Sequence, residues 1–194
     1  MIKLLLLAAT CCAALVCGPA HALPQSDASV QAESALRQDL QQALWPADIV
    51  RIAGDYLSRY PDSPSARSIA SMRDQARDAM RVLSRNDVRL YRSAFNPTQD
   101  SATLIDELRR AALGDREAAV RLAHLHQRGG DNDTEASRYV GWLQFAAVLG
   151  NESASYELAV HYRRLNQPVL AAKYEARAVE LGYVPPNSLD HNRK

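Results

Sequence analysis

The chain has 194 residues, 47% of them hydrophobic, with 23 basic against 22 acidic side chains and a formal net charge of +1. A balance this close to neutral creates no broad field to gather nucleic acid or an anionic membrane surface, which speaks against both as partners. All three cysteines, Cys11, Cys12 and Cys17, fall near the start, so the rest of the chain has no disulfide, thiolate metal site or cysteine nucleophile.

Lys3 precedes an apolar stretch from Leu4 to Val16, followed by Pro19 and Ala20-His21-Ala22. This order of charged, apolar and small residues predicts a secretory signal over residues 1–22, cleaved after Ala22. A membrane anchor is the rival reading, but the stretch holds 13 residues where roughly 20 are needed to cross the hydrocarbon core. Lipidation fits poorly, because Val16 precedes Cys17 and Thr10 precedes Cys11 where a small residue is required. Cleavage removes Lys3 and leaves basic and acidic residues equal in number.

Residues 23–29, small and polar with Pro24, predict a flexible lead-in. Helical periodicity begins near Val30, where Ala32, Ala35, Leu36, Leu40, Ala43 and Leu44 keep three- and four-residue steps up to Pro46. Ile49, Ile52, Ala53, Tyr56, Leu57 and Tyr60 form a second stripe, stopped by Pro61-Asp62-Ser63-Pro64. A third helix starts from a cap at Ser63 or Ser65 and carries Ile69, Met72, Ala76, Met80 and Leu83. A fourth, shorter helical segment spans Val88 to Phe95. Asn96-Pro97-Thr98 ends it and divides the chain into an N-terminal region, 30–96, and a second region, 100–183.

In the second region Ser101 or Thr103 opens a helix through Leu104, Ile105, Leu108, Ala111 and Ala112, which Gly114 closes. Asp115 begins the next, with Ala118, Ala119, Leu122, Ala123 and Leu125, ending at Gly129-Gly130. Residues 131–135 read as a loop and cap. Tyr139, Trp142, Leu143, Ala146, Ala147 and Leu149 lead to Gly150, and Ala154, Leu158, Ala159, Tyr162 and Leu165 follow. After Gln167-Pro168, a last helix with Val169, Ala171, Tyr174, Ala178 and Leu181 reaches Gly182, and residues 184–194 form a loose tail. No alternating run of β-branched residues predicts a sheet. Gly114, Gly150 and Gly182 lie 36 and 32 residues apart. Such a period predicts stacked helical hairpins, since one hairpin cannot bury its apolar face alone. The predicted fold class is therefore all-α, a short right-handed α-solenoid of antiparallel helix pairs.

With the repeats laid out, residues 100–183 resemble the Sel-one-like repeat family, a branch of the tetratricopeptide superfamily. Gly114, Asp115, Ala118 and Leu122 carry the likeness, with His126 at a position where the family has Tyr, and Gly129, Gly130, Trp142, Ala146, Ala147 and Gly150 complete the first unit. A second unit has Gly150, Asn151, Ala154, Leu158 and Tyr162, a shortened turn, then Ala171, Tyr174, Ala178 and Gly182, with Val179 in place of an alanine. The stretch from Tyr56 to Ser63, with Tyr60-Pro61, is similar to a hairpin turn of tetratricopeptide-like periplasmic proteins. The resemblance implies a non-catalytic adaptor that is exported, periplasmic or secreted. Its implied partner is another envelope or secreted protein. A glycan-associated accessory role, in polysaccharide export or on peptidoglycan, is the alternative.

Residues with chemical potential each have a plainer reading. Arg73, Arg77, Arg81, Arg85 and Arg89 recur every fourth residue and, on a continued helix, make a row for an acidic glycan or partner surface. Asp74, Asp78 and Asp87 accompany them, as on a solvated face. His124 and His126 point to roughly opposite sides of a helix, and Asp131, Asn132 and Asp133 lack the glycine and distant glutamate of a calcium loop. Trp142 reads as core, with carbohydrate stacking as its other use. No nucleophile elbow, paired catalytic carboxylates or phosphate loop occurs, so neither an enzyme nor a cofactor is expected.

Overall fold

The computed structural model describes residues 27–128 and 133–184. The expected signal, the Gly129-Gly130 turn and the tail beyond Val184 lie outside them. The described residues are all-α. Their helices are α1 (Asp27–Gln42), α2 (Pro46–Arg59), α3 (Ala66–Leu83), α4 (Ala102–Ala112), α5 (Arg116–Arg128), α6 (Asp133–Val148), α7 (Glu152–Arg164) and α8 (Pro168–Glu180), with a 3-10 turn at Arg92–Phe95. Helix α2 packs on α3, α5 on α6 and α7 on α8, while α4 lies against α5 and α6 against α7.

The helix limits follow from local chemistry. Pro46 starts α2, where its missing N–H costs nothing. Ile49, Ile52, Ala53 and Tyr56 on one face of α2 are buried, and Ile69, Ala76 and Ala79 of α3 close over them. Helix α1 buries only Leu40 and is tied down by polar contacts. Its Glu33 accepts hydrogen bonds from Tyr56 at 2.5 Å and Ser63 at 2.9 Å, and these donors hold the carboxyl below its ordinary range. Of the two expected caps for α3, Ser65 takes the N-cap position without a side-chain bond, and Ser63 Oγ instead accepts the Ser65 N–H.

From α4 onward several helix ends share the same chemistry. Ser101, Asp115 and Asn151 each accept a backbone N–H of a first helical turn with their side chains, which satisfies donors that have no partner within the helix. Gly114, Gly150 and Gly182 have φ of +84°, +94° and +90°. After each, the next N–H reaches back five residues, from Asp115 to Arg110, Asn151 to Ala146 and Tyr183 to Ala178, closing the helix in the same way three times. Asn166, at φ +55°, makes a fourth such end with the Gln167 N–H on Tyr162. It is the glycine-free form of the turn that the sequence shortens. Ala111, Ala118, Ala119, Ala146, Ala154 and Ala159 are fully buried at helix contacts. Leu108, Leu122, Leu143 and Leu158, each at most 1% exposed, contribute about 1.5–3 kcal/mol apiece by burial.

Two expectations are corrected. Residues 27–29, inside the expected lead-in, already belong to α1, while 23–26 lie outside the described residues. The expected fourth helix over Val88–Phe95 is extended chain followed by the 3-10 turn. Val88 and Leu90 are buried while Arg89 and Tyr91 are exposed, so the apolar spacing there has period two, that of an extended strand. Beyond it, Phe95 lies between Trp45 and Trp142, with ring centroids 5.1 and 4.8 Å away, and Phe145 lies 6.1 Å past Trp142. This row of rings joins the N-terminal helices to α6.

Candidate functional site

A groove of about 970 Å³ has α6 as its floor and the extended segment and the α7–α8 pair as its walls. Its geometry starts from Gly141, a glycine in a helix interior, where it costs about 1 kcal/mol relative to alanine. A Cβ at this position would lie 2.6 Å from the Arg89 carbonyl oxygen. The missing side chain lets the extended segment rest directly on the helix.

One turn on, Gln144 is buried within an otherwise apolar run. Its Oε1 accepts the Arg89 backbone N–H at 2.8 Å, and its Nε2 donates to the Tyr162 hydroxyl at 3.0 Å. A side-chain amide thus supplies the hydrogen bond that a neighbouring strand would otherwise give, a buried pairing that would be costly to leave unmade. Tyr162 stacks on Tyr174 with ring centroids 5.5 Å apart and planes 9° apart. Burial, followed by the Tyr162 neighbour, pushes the Tyr174 phenol up to about 12.

Charges close one end of the groove. Asp87 bonds Arg85 at 3.0 Å and Lys173 of α8 at 3.2 Å. The Arg85 guanidinium, with Lys173 adding to it, outweighs partial burial and brings the Asp87 carboxyl down to about 2. Along the wall, His161 packs edge-on to Tyr139 and Tyr162, and burial together with Arg164 lowers its pKa, favouring the neutral ring. Tyr91 and Leu165, 71% and 53% exposed, line the groove from facing walls.

The arginine row divides in two. Arg73, Arg77 and Arg81 lie on α3, paired with Asp74 at 3.0 and 3.1 Å and with Asp78 at 2.7 Å. The helix ends at Leu83, so Arg85 stands in the following turn against Asp87, and Arg89 lies in the extended segment on the groove wall. Four of the five therefore face an aspartate, and of the five only Arg89 lines the groove. Trp142 is fully buried in the row of rings, out of reach of a sugar. Of the other repeat-defining residues, Ala118, Leu122, Ala146, Ala147, Ala154, Leu158, Tyr162, Tyr174 and Ala178 are buried, and the three glycines hold helix ends.

The histidines find partners the sequence does not display. His124 Nε2 lies 2.9 Å from Glu157 of α7, and His126 Nδ1 lies 2.7 Å from Glu135 of α6. Among the described residues no group of three or more His, Cys, Asp or Glu is placed to hold a metal ion, and no helix is long and apolar enough to cross a membrane. Sequence reasoning missed Gly141 and Gln144. Their signal was a glycine within a helical pattern, and a glutamine between Leu143 and Phe145. In comparisons with known proteins, no family model matches the chain, and neither does any curated protein or any solved structure.

Proposed function

We propose that the chain is an exported, non-catalytic helical-repeat adaptor that holds an extended peptide segment of another envelope protein in the α6 groove. The observation that carries this reading is that α6 already accommodates an extended backbone. Gly141 removes the obstructing side chain and Gln144 bonds the Arg89 N–H. The groove continues beside that segment, and its exposed Tyr91 and Leu165 suit an apolar anchor on the peptide. The glycine and alanine register supports a Sel-one-like, right-handed solenoid arrangement of the pairs, and Lys3 with the Leu4–Val16 stretch supports export.

The glycan alternative draws no support from the geometry. Its arginine row is largely matched by aspartates, and Trp142 is inaccessible. Photo-crosslinking in cells tests the adaptor reading. A crosslinker at Ser137, on the groove floor, is expected to capture one or a few envelope proteins through extended segments. The same group at Gln31, on the exposed face of α1, is expected to capture none of them, and Val140→Glu should abolish capture from Ser137. Identical products from both positions, or none from Ser137, would overturn it.

A further inference from the structure

A second cavity, of about 470 Å³, opens between α4 and the C-terminal half of α5 and shares no lining residue with the groove. Its apolar wall is Leu104, Leu122 and Leu125. Most of its charged groups answer one another. Arg121 makes two 2.9 Å bonds to Glu107, and Glu135 accepts from Arg138 at 3.4 Å as well as facing His126.

His126 supplies the open valence. Its side chain is only 7% exposed, and Nδ1 sits 2.7 Å from Glu135 Oε2. An ionised carboxylate only accepts, so in the neutral ring the proton resides on Nδ1 and Nε2 presents a lone pair. Nε2 has no hydrogen-bond partner among the described residues and is not among their fully buried unpartnered atoms, and His126 is one of the residues lining the cavity. We propose that this cavity binds a small neutral amphiphile whose apolar body lies on the three leucines and whose hydroxyl donates to His126 Nε2. A neutral ligand is favoured because the cavity's formal charges, Arg121 with Glu107 and Glu135 with Arg138, already answer one another. The volume lies within the roughly 300–1,000 Å³ range of small-molecule sites. This inference does not rest on the peptide-groove reading and involves none of its residues.

The test titrates the chain from residue 23 onward with 2-naphthol and with naphthalene, which lacks the hydroxyl, while following the His126 ring nitrogens by NMR. 2-Naphthol is expected to move the Nε2 resonance and to bind about tenfold more tightly than naphthalene, the scale of one hydrogen bond in a sheltered site. Leu125→Trp, at a position 42% exposed and so tolerant of a larger side chain, should block both probes. His126→Phe should reduce the preference for 2-naphthol to within about twofold. Equal binding of the two probes, an unmoved Nε2 resonance, or undiminished binding to Leu125→Trp would each overturn the proposal. If His126→Phe fails to fold, the two probes and Leu125→Trp still decide it.

Discussion

The helices before and after the extended segment solve the same packing problem with different chemistry. In α1–α3 the chain turns at prolines, and α1 is held by the Glu33, Tyr56 and Ser63 hydrogen bonds rather than by a deep apolar seam. In α4–α8 the described turns after α4, α6, α7 and α8 use residues with positive φ, α4, α5 and α7 start from side-chain caps while α8 starts at Pro168, and helices come together on fully buried alanines. Small contacts and a fixed turn can be repeated. An individual polar network cannot, because it depends on three residues meeting once. The groove forms where the two schemes join, since the linking segment is neither part of a helix pair nor free of the core.

The largest expected effect comes from cutting that join. Trp142→Ala should cost about 3–5 kcal/mol, as for other large buried aromatics. Because Trp142 links Phe95 to Phe145, calorimetry should show one unfolding transition becoming two; a single shifted transition would mean the two regions do not depend on this contact. Gly141→Ala comes next. Its Cβ meets a backbone carbonyl, which cannot swing aside, so despite better helix propensity it should destabilise by about 1–3 kcal/mol in urea unfolding. Hydrogen exchange at the Arg89 amide should accelerate in the same variant.

The glycines separate the two regions more finely. Gly150→Ala forces a side chain onto φ +94° and should cost about 1–2 kcal/mol. Gly54→Ala, in the interior of α2 with no atom within 4 Å of the added Cβ, should stabilise by about 0.5–1 kcal/mol. Thermal denaturation of the pair gives opposite signs if the contrast is correct.

The smallest effect is pH dependence at the groove. The folded-state pKa of His161 lies below the ordinary 6.5, so the unfolded chain takes up its proton first as pH falls. Its contribution is complete above 6.5 and declines below it. The Asp87 carboxyl, lowered from 3.8 to about 2, stabilises above 3.8, and that share is lost as pH falls toward 2. Arg85 and Lys173 are 54% and 51% exposed, so screening keeps the Asp87 share below about 1 kcal/mol. Asp87→Asn should flatten the acid limb of urea midpoints against pH while leaving the His161 limb in place.

The helices of the second region were legible because their signals are local. A glycine that takes positive φ, an aspartate or asparagine that caps, and a leucine or alanine recurring by three and four act within one or two turns of the chain. The Arg73 to Arg89 row was misleading because its spacing continues past Leu83 while the helix does not. The alternation of Val88, Arg89, Leu90 and Tyr91 is too short to outweigh the helical pattern around it. Gln144 was hidden for another reason. Its partners, the Arg89 amide and the Tyr162 hydroxyl, are far from it in sequence, so only packing supplies them.

By itself the sequence determined the all-α class of the described residues, the helix ends at Gly114, Gly150 and Gly182 and most of the buried positions, because backbone preference and apolar periodicity are carried by neighbouring residues. Tertiary structure alone decided that Gly141 would receive a strand-like segment, that His124 and His126 would face glutamates from other helices, and that Gln144 would bond the Arg89 amide and the Tyr162 hydroxyl. Those outcomes depend on which helix faces meet, and the energy of a hydrogen bond or an ion pair exists only once its partner has been brought within about 3 Å.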